Sequence, residues 1–559
     1  MGRFCLVLHG HLPHVLHHGR WPHGESWVFE GASGSWMPLL ATIDAVAEAG
    51  ARAGFTLGLT PVLLEQLAHP RFQSGFPLWL DERIERARRD QETFRGWGDA
   101  HLVYLAERWE QHFAEQRAAF DALDRNLPAA FAARWASGQI EIMGSFATHG
   151  YAPLLLHDRS VRAQLRVGLD SSERILGRRP TSLWLPECAY RPGGRWTPPC
   201  LHGDERVRLG VDQVLASEGV RAFFVDAHLF QGARSEGVVE DGRYRKVGWD
   251  QAGWDTGRAW RSLLEPHLVT TDGSDTGVAA LARHPRVSEQ VWSGEVGYPG
   301  DGRYLEFHKR HGSDGLPYWK ITGNKVGLGD KHRYVPDDVA SALHEHAHHF
   351  ASVVRDTVAE YQRDTGRPGV VCAPFDAELF GHWWHEGPTF LRDALLSLHH
   401  DPAVEVCTAS ELLERQPPDK AVWLPEGSWG AGGDHRVWWN DELRWTWELE
   451  YRAEDRFYQL LDSLAWREHE GVRHALTLAA RELLLLQASD WPFVVHTKGA
   501  VDYGYTRICG HAERFDRLMN LAWKRSEGRD DDAVDQLAID QVEGLDGLFD
   551  GLSLEAFCA

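Results

Sequence analysis

The sequence predicts an α/β fold built as a (β/α) barrel, with a helical insertion and a C-terminal α-helical domain. Short, nearly all-apolar runs recur along the first three quarters of the chain, as expected for parallel strands that are covered on both faces. Amphipathic segments separate these runs, and polar residues follow them. Two long stretches break this alternation with a helical pattern. A chain of 559 residues is long enough for one large domain and one or two smaller ones.

Seven apolar runs predict the strands. In chain order they are FCLVLHGH near residue 4, FTLGLTP near 55, QIEIMGSFATHG near 139, SLWLPE near 182, RAFFVDAH near 221, EQVWSGEVGYPG near 289 and GVVCAPFD near 369. The predicted helices between them include 38–49 and 338–364, and Gly366 and Pro368 form a helix stop after the second. Seven runs are one fewer than the strands of a complete eight-fold barrel.

The breaks in the alternation predict the domain boundaries. Residues 76–136 carry a charged helical stretch that is too long for a simple connection, so we expect a helical insertion there. From 419 to 559 the pattern is helical, and HALTLAARELLLLQASDW is its most apolar helix. The barrel is therefore predicted at 1–75 and 137–418, and a helical domain at 419–559.

Composition limits the classes of partner and location. The formal net charge is −22, from 59 basic and 81 acidic residues, so the field repels nucleic acid and anionic membrane surfaces. No apolar run reaches the length of a membrane span, and the first residues lack the basic and apolar regions of a secretory signal, so we expect neither feature. The 7 cysteines are scattered without a CxxC pair, which favours reduced thiols in a cytoplasmic enzyme. The 25 tryptophans supply flat apolar rings that suit sugar faces.

Two carboxylates stand at the ends of predicted strands. Glu187 follows the apolar run of TSLWLPECAY, and Asp376 ends the run of GVVCAPFDAELFG. A buried strand fixes the geometry of such a group and tunes its pKa. Retaining glycoside chemistry needs an ionised nucleophile and a protonated acid about 5–5.5 Å apart. Two strand-end carboxylates in an aromatic-rich chain therefore indicate carbohydrate chemistry.

Histidines follow the same strands. His9 and His11 occupy alternate positions of HGHLPH, so both rings can point to one face. They are candidates for hydroxyl recognition, metal ligation or a structural hydrogen-bonded pair. His149, in FATHG, and Asp226 and His228, in FFVDAH, also follow strands and are expected at the same rim.

Five longer motifs carry a resemblance to a known family. HGHLP, GFTLGLTPVLLEQL, LWLPECAYRPG, APFDAELFGHWWHEGP and LLLLQASDWPF resemble, in this order, the five signature regions of glycoside hydrolase family 57. The resemblance spans almost the whole chain. Within the family the sequence most resembles the α-1,4-glucan branching enzymes, on VWSGEVGYPGDGRYLEFHKRH, the tryptophans of GSWGAGGDHRVWWN and the helical tail.

The resemblance implies an incomplete (β/α)7 barrel, a retaining double displacement, and neither a metal nor another cofactor. It implies that Glu187 is the nucleophile and Asp376 the acid/base. It also implies substrate contacts at His9, His11, His149, Trp292, Trp429, Trp438 and Asp490. Tyr244 is expected at the tip of a polar loop at 231–248 that covers the site, as a loop tyrosine does in the branching members.

These inferences predict a cytoplasmic, metal-independent branching enzyme that acts on an amylose- or glycogen-like α-glucan. We expect a monomer or small homo-oligomer that binds neither nucleic acid nor membrane. Transfer to a 6-hydroxyl makes the branch, whereas a 4-α-glucanotransferase or an α-amylase-type hydrolase of the same family would share the catalytic residues.

Three further alternatives come from other classes. A metal-dependent carbohydrate esterase or mannosidase-like hydrolase would assemble His9, His11, Asp226 and Asp376. A glucan-binding protein on a disabled scaffold would not need Glu187. Residues 344–348 satisfy the HExxH pattern of zinc peptidases, but no obvious third ligand accompanies it, so solvated histidines on an outer barrel helix are the expected explanation.

Overall fold

The computed structural model describes residues 1–201, 203–240, 243–246, 261–271, 273–529 and 531–558. Its strands are β1 (Gly2–Gly10), β2 (Thr56–Leu59), β3 (Glu141–Met143), β4 (Ser182–Leu183), β5 (Gly194–Trp196), β6 (Arg206–Arg208), β7 (Ala222–Val225), β8 (Arg234–Glu240), β9 (Arg243–Lys246), β10 (His267–Val269), β11 (Ala279–Ala282), β12 (Val370–Asp376), β13 (Val404–Val406) and β14 (Lys420–Trp423).

The helices alternate with these strands in the first part of the chain and follow one another in the last part. They are α1 (Glu25–Gly31), α2 (Met37–Glu48), α3 (Pro61–Ala68), α4 (Pro70–Gly96), α5 (Ala100–Ala122), α6 (Leu127–Ala136), α7 (Asp158–Leu176), α8 (Val211–Ser217), α9 (Ala227–Gln231), α10 (Pro285–Trp292), α11 (Val339–Thr365), α12 (Gly387–His399), α13 (Ala409–Arg415), α14 (Arg444–Ser463), α15 (Glu470–Leu486), α16 (Asp490–His496), α17 (Val501–Ser526) and α18 (Ala533–Leu545). Among the described helices, none combines the length and the apolar character that crossing a bilayer requires.

Seven parallel strands form a ring at the centre of the fold. Parallel ladders join β12, β1, β2 and β3 in one half, and β4, β7 and β11 in the other. Single parallel bridges connect the halves, between Gly144 and Leu183 on one side and between Arg283 and Cys372 on the other. Continuous ladders therefore do not close the ring. This arrangement confirms the predicted incomplete (β/α)7 barrel.

One predicted strand is wrong. The run near 289 is not a strand, because residues 285–292 form α10, and the ring position between β7 and β12 is taken by β11. Val287 and Val291 are both buried, at the spacing of one helical face, and Pro285 stands in the first turn, where a helix tolerates it. The sequence of β11 is AALA, which lacks the β-branched and aromatic residues that make a strand recognisable.

A second group of strands extends the ring beyond β11. β10 pairs antiparallel with β11 and parallel with β14, while β8 pairs antiparallel with β14 and forms a hairpin with β9. The predicted boundary at 419 stays a prediction. Residues 420–423 form β14 within this sheet, and the first helix after them, α14, begins at Arg444.

The helices outside the ring form two groups. α4, α5 and α6 lie in the part of the chain predicted as an insertion, and aromatic side chains pack between the first two, with Phe76 edge-on to Phe120 at 5.0 Å. α14 to α18 share a separate apolar core that includes Leu476, Leu483 and Phe515. Both helical regions of the predicted fold are thus present.

A buried carboxylate fixes the C-terminal helices against the segment that follows β1. Asp546 accepts a hydrogen bond from His18 at 2.7 Å and lies 3.4 Å from His14 and 3.1 Å from Arg514. Burial alone would raise the pKa of Asp546, but the bonds from the two histidines hold it well below its ordinary value. Removing one partner of such a buried pair is strongly destabilising. The network therefore sets the position of the C-terminal region relative to β1.

Candidate active site

The carboxyl ends of the ring strands bring the predicted site residues together. His9 stands opposite Asp376 in the register of β1 and β12. His149 follows β3, and Glu187 lies in the turn after β4. In barrels of this type the side chains that follow the strands share one face of the ring. Residues that lie far apart in the sequence thus surround one point.

The turn that carries Glu187 is strained. Glu187 adopts φ 61° and ψ 22°, and Cys188 and His149 also have positive φ values of 50° and 63°. A residue with a side chain pays about 1–2 kcal/mol for this left-handed conformation. The turn is held because the Glu187 carbonyl accepts from the Trp429 amide at 3.0 Å, and the segment at 427 pairs with Tyr190. Strain of this kind is typical of functional positions.

The Glu187 carboxylate accepts two hydrogen bonds. The indole Nε1 of Trp429 donates to Oε2 at 2.9 Å, and the Ser489 hydroxyl donates to Oε1 at 2.9 Å. Burial raises the pKa of Glu187 to about 7, although both donors favour the ionised form. The side chain is 14% exposed, so an incoming substrate can reach it.

Ser489 also ends a chain of hydrogen bonds that starts at His9. His149 Nδ1 lies 2.8 Å from the Ser489 hydroxyl, and His149 Nε2 lies 3.2 Å from His9 Nε2. Since the single hydroxyl hydrogen of Ser489 goes to the carboxylate, His149 Nδ1 must carry a hydrogen and its Nε2 must accept from His9. Burial lowers the pKa of His9 and that of His149 well below the ordinary value of a histidine, and the nearby His11 lowers both further. Two neutral rings thus orient the Ser489 hydroxyl toward Glu187.

His11 is held differently. Its Nε2 lies 2.9 and 3.0 Å from the two oxygens of Asp490, and its Nδ1 lies 2.9 Å from the Thr60 hydroxyl. Burial lowers the pKa of His11, but the charge and hydrogen bond of Asp490 outweigh burial, so the pKa is raised. A protonated His11 favours the ionised form of Glu187.

The turn between α15 and α16 delivers Ser489 and Asp490 to the barrel. Ser489 N–H donates to the carbonyl of His149 at 3.1 Å, and Ala488 forms an antiparallel bridge with Gly150. The C-terminal helices therefore supply two side chains to the site.

The surroundings of Asp376 contrast with those of Glu187. Among the described residues, none donates a hydrogen bond to its carboxylate. Burial raises the pKa of Asp376 well above its ordinary value, and the charges of Glu378 and Glu187 add to this. Arg283 opposes the shift but is bound to Asp226 by an ion pair. Burial and the two acidic neighbours both favour the protonated form of Asp376, which is the form that a general acid needs.

Aromatic rings wall the site beside Glu187. Trp429 lies 4.9 Å from Trp184 and 6.1 Å from Trp292, edge-on in both cases. Trp184 is fully buried and stacks on His9 at 4.7 Å, whereas Trp292 and Trp429 are half-buried. Two tryptophan rings thus remain accessible next to the carboxylates.

Comparison with known proteins identifies the family. The model of Glycosyl hydrolase family 57 matches residues 5–425, and that of the 1,4-alpha-glucan branching enzyme, C-terminal, matches residues 450–557. The chain belongs to glycosyl hydrolase family 57. The resemblance found in the sequence motifs is confirmed.

Relatives of this family 57 protein include branching enzymes. A 1,4-alpha-glucan branching enzyme of Thermococcus kodakarensis is 37% identical over 93% of this chain and 73% of its own length. A probable 1,4-alpha-glucan branching enzyme of Mycobacterium tuberculosis is 32% identical over 94% of this chain and 96% of its own. The crystal structure of a GH57-type branching enzyme from Pyrococcus horikoshii has a TM-score of 0.89 at 36% identity, covering 100% of this chain and 97% of that one.

The family 57 scaffold here contains two site residues that sequence reasoning missed. Glu378 accepts from the His11 amide and from the Trp36 indole, both at 3.1 Å, and burial raises its pKa to about 7. It stands two residues after Asp376 in the same motif, which is the signal that would have found it. Ser489 immediately precedes the predicted Asp490 in the ASDW motif.

Two predicted substrate contacts lie apart from this group. Trp438 is 1% exposed, and its ring stacks on Tyr151 at 4.7 Å beneath Gly430, so it supports the loop that carries Trp429. Tyr244 lies on β9, where its hydroxyl donates to the Glu236 carbonyl at 3.4 Å within the hairpin. Residues 241–242 and 247–248 of the predicted covering loop lie outside the described residues. Substrate contact at both positions stays a prediction.

The metal alternatives have different structural support. His11, His149 and Asp490 offer ligand atoms within 4.8 Å of one another, a geometry that can hold an ion. Asp226, needed by the metal-dependent hydrolase, is instead paired with Arg283. His344 and His348 of the HExxH pattern are exposed on α11, and no three-ligand group in the described chain includes them. Solvated histidines on an outer helix therefore account for that pattern.

Proposed function

We propose that this chain is a 1,4-α-glucan branching enzyme in which Glu187 is the nucleophile and Asp376 the acid/base. The observation that carries the proposal is the contrast between two largely buried carboxylates at the ends of two strands of one ring, β4 and β12. Glu187 accepts two hydrogen bonds, while Asp376 accepts none from the described residues and lies beside two acidic groups. A retaining mechanism needs such a difference in protonation. The names of the relatives support the choice of reaction.

The first step cleaves an α-1,4 bond. The ionised Glu187 attacks the anomeric carbon, and Asp376 gives its proton to the departing 4-oxygen. A glycosyl ester on Glu187 and a shortened chain with a new 4-hydroxyl result, so atoms and charges balance. The Trp429 and Ser489 donors maintain the carboxylate in its reactive form before the attack.

The second step decides the product. The 6-hydroxyl of another glucan chain attacks the ester, and Asp376, now a base, takes the proton of that hydroxyl. The α-1,6 branch forms and Glu187 is released as a carboxylate. The rings of Trp292 and Trp429 border the reacting carboxylates, where stacking of a sugar acceptor and exclusion of water favour transfer over hydrolysis.

A hydrolase is the second candidate, on one observation. The α-amylase AmyC of Thermotoga maritima has a TM-score of 0.82 at 27% identity over 100% of this chain and 99% of that one. Incubation with amylose, followed by proton NMR for α-1,6 linkages and by a reducing-end assay, separates the two. Branching predicts α-1,6 signals without matching new reducing ends. New reducing ends without α-1,6 signals would overturn the proposal.

The remaining proposals concern metal, location and organisation. Chelation followed by metal analysis tests the metal-independent reaction, which a stoichiometric ion with loss of activity on removal would contradict. All seven cysteines are free, which supports a reducing, cytoplasmic setting. We propose a barrel at 1–75 and 137–418, an insertion at 76–136 and a helical domain at 419–559. One family model ends at 425 and the other begins at 450, which supports a division shortly after 419.

A further inference from the structure

A cavity lies among segments that follow β1 and β12, and the residues that line it differ from those around Glu187. Its volume is about 340 Å³, within the range of small-molecule sites. We call it the rim cavity. Its walls come from α1, from α4 and α5 of the insertion, from the segment 305–317 and from the loop 381–389. Neither Glu187 nor Asp376 lines it.

Aromatic rings form one side of the rim cavity. Trp383 is 54% exposed and stacks on Phe307, with ring centroids 4.9 Å apart and planes 26° apart. Trp109 stacks on Phe113 at 5.5 Å on the insertion side, and its indole is fixed by a hydrogen bond to the Pro317 carbonyl at 2.8 Å. Rigid, partly exposed rings offer a flat apolar surface to the C–H face of a sugar.

Neutral polar groups form the other side. His382 and His385 line the rim cavity, and their ring nitrogens have no hydrogen-bond partner among the residues that the structure describes. Burial lowers the pKa of His382 to about 4 and that of His385 to about 3, so both rings are neutral at neutral pH. A neutral imidazole offers one donor and one acceptor, which matches the two capacities of a hydroxyl.

The charged residues in the rim cavity balance one another. Arg83 is bound to Asp314 at 2.9 Å, and Arg310 stands over the Phe307 ring at 5.6 Å. Glu30 faces these two arginines, whose charges oppose the rise that burial causes in its pKa. A site for phosphate or another anion would instead leave cations uncompensated. The lining therefore fits a neutral, polyhydroxylated ligand.

The position of the rim cavity relates it to the reaction. The loop with His382 and Trp383 follows β12, the strand that ends at Asp376, and α1 with Glu30 follows β1. The backbone of His382 is anchored by the Ser35 hydroxyl at 3.2 Å, in the segment that also carries Trp36. Trp36 in turn donates to Glu378, beside the acid/base. The segment with Ser35 and Trp36 thus lies between the rim cavity and the carboxylates of the candidate active site.

We propose that the rim cavity binds a segment of neutral α-glucan chain, remote from the cleavage point, and so holds long substrates on the enzyme. The identity of the glucan rests on the proposed branching function. The neutral sugar chemistry of the site rests on the lining alone.

The test is affinity electrophoresis in gels that contain amylopectin, with the Glu187→Gln variant as the non-cleaving parent. Adding Trp383→Ala or Trp383→Leu removes the ring face from an exposed position, and leucine keeps apolar volume if alanine impairs folding. We expect each substitution to raise the dissociation constant for amylopectin, as measured from the retardation, about tenfold. This is the effect of losing one stacking partner. The matched control is Trp97→Ala, which removes a similarly exposed tryptophan (60%) of the insertion region that does not line the rim cavity, and this variant should equal the parent.

The outcomes separate the two proposals. Equal retardation of the parent and both Trp383 variants overturns the rim-cavity site, even if the wild-type enzyme forms α-1,6 linkages from amylose. Weaker retardation of both Trp383 variants, with Trp97→Ala unchanged, supports the site even if NMR shows hydrolysis instead of branching. Equal losses in the Trp97 control and the Trp383 variants would mean general surface binding and would also overturn the site.

Discussion

The ends of β4 and β12 place a carboxylate at the same face of the same ring, and yet their surroundings differ. At the end of β4, Glu187 faces an indole N–H and a hydroxyl, both at 2.9 Å. At the end of β12, Asp376 faces the carboxylates of Glu378 and Glu187. Burial raises the pKa of both groups. The donors lower the pKa of Glu187 and the neighbouring charges raise that of Asp376 further, and we propose that this difference separates the two roles.

The difference between the surroundings of Glu187 and Asp376 depends on parts of the chain outside the barrel strands. Trp429 reaches Glu187 from the loop after β14, and Ser489 reaches it from the turn between two C-terminal helices. The charged neighbours of Asp376 follow strands of the ring: Glu378 follows β12, Glu187 follows β4 and Arg283 follows β11. The proposed nucleophile therefore takes its hydrogen-bond donors from the last part of the chain, whereas the proposed acid does not.

The largest expected effect comes from removing either carboxyl group. Glu187→Gln and Asp376→Asn should each lower the turnover of amylose by about 10³-fold or more, because one loses the nucleophile and the other the proton donor. Turnover is measured by reducing ends and α-1,6 NMR signals. Glu450→Gln is the control, since Glu450 is also buried with a raised pKa but lies in α14. Activity near the wild-type level in either site variant would contradict the role proposed for that carboxyl group.

Removing the indole donor of Trp429 tests the surroundings of Glu187 alone. Trp429→Phe keeps a ring but loses the N–H, so the pKa of Glu187 should rise above about 7. Since the nucleophile must be ionised, the acidic limb of the kcat/KM profile should move upward by roughly one pH unit. Trp445→Phe, which removes an indole N–H that has no hydrogen-bond partner among the described residues, should leave the limb in place. An unmoved limb in Trp429→Phe would show that the bond does not tune Glu187.

Removing the negative charge of Glu378 tests the surroundings of Asp376. Glu378→Gln keeps the acceptor for the His11 amide and the Trp36 indole but loses the charge that raises the pKa of Asp376. The acid must be protonated, so the basic limb should move to lower pH, by roughly half a pH unit to one. Glu386→Gln, a nearby buried carboxyl whose pKa is about 7, is the control. A basic limb that moves upward would contradict the assignment.

The smallest effect is expected at Ser489. Ser489→Ala removes one donor to Glu187 and interrupts the chain from His149, so the acidic limb should move upward by less than in Trp429→Phe, roughly a few tenths of a pH unit. Ser489→Thr retains the hydroxyl and should restore the wild-type profile. A shift larger than that of Trp429→Phe would reverse the ranking of the two donors.

The strand-end carboxylates could be predicted from the sequence because each closes an apolar run. Local pattern is enough for that, and the long signature motifs assigned the family. The strand β11 was missed because its four residues are small and its neighbour α10 contains the more strand-like letters. Short, alanine-rich ring strands are defined by their pairing, which the local sequence does not show.

The partners of Glu187 could not be predicted in the same way. Ser489 lies 302 positions along the chain from Glu187, and a serine next to an apolar helix is locally unremarkable. Only the packing of the C-terminal helices, through Asp546 and the bridge at Gly150, brings it to the carboxylate. Contacts set by long-range packing leave no periodic trace in the sequence. Pairing between β8 and β9 likewise places Tyr244 on a strand of a hairpin, where the sequence predicted the tip of a loop.

The most direct test of the two roles uses α-maltosyl fluoride, whose fluoride leaves without a proton. Asp376→Asn should still form the glycosyl ester with this substrate but turn it over slowly, because the second step lacks its base. Mass spectrometry of the digested protein should then find the added sugar on the peptide that contains Glu187, and Glu187→Gln should show none. Sugar attached to Asp376 in the Glu187→Gln variant, with no label in Asp376→Asn, would contradict the account.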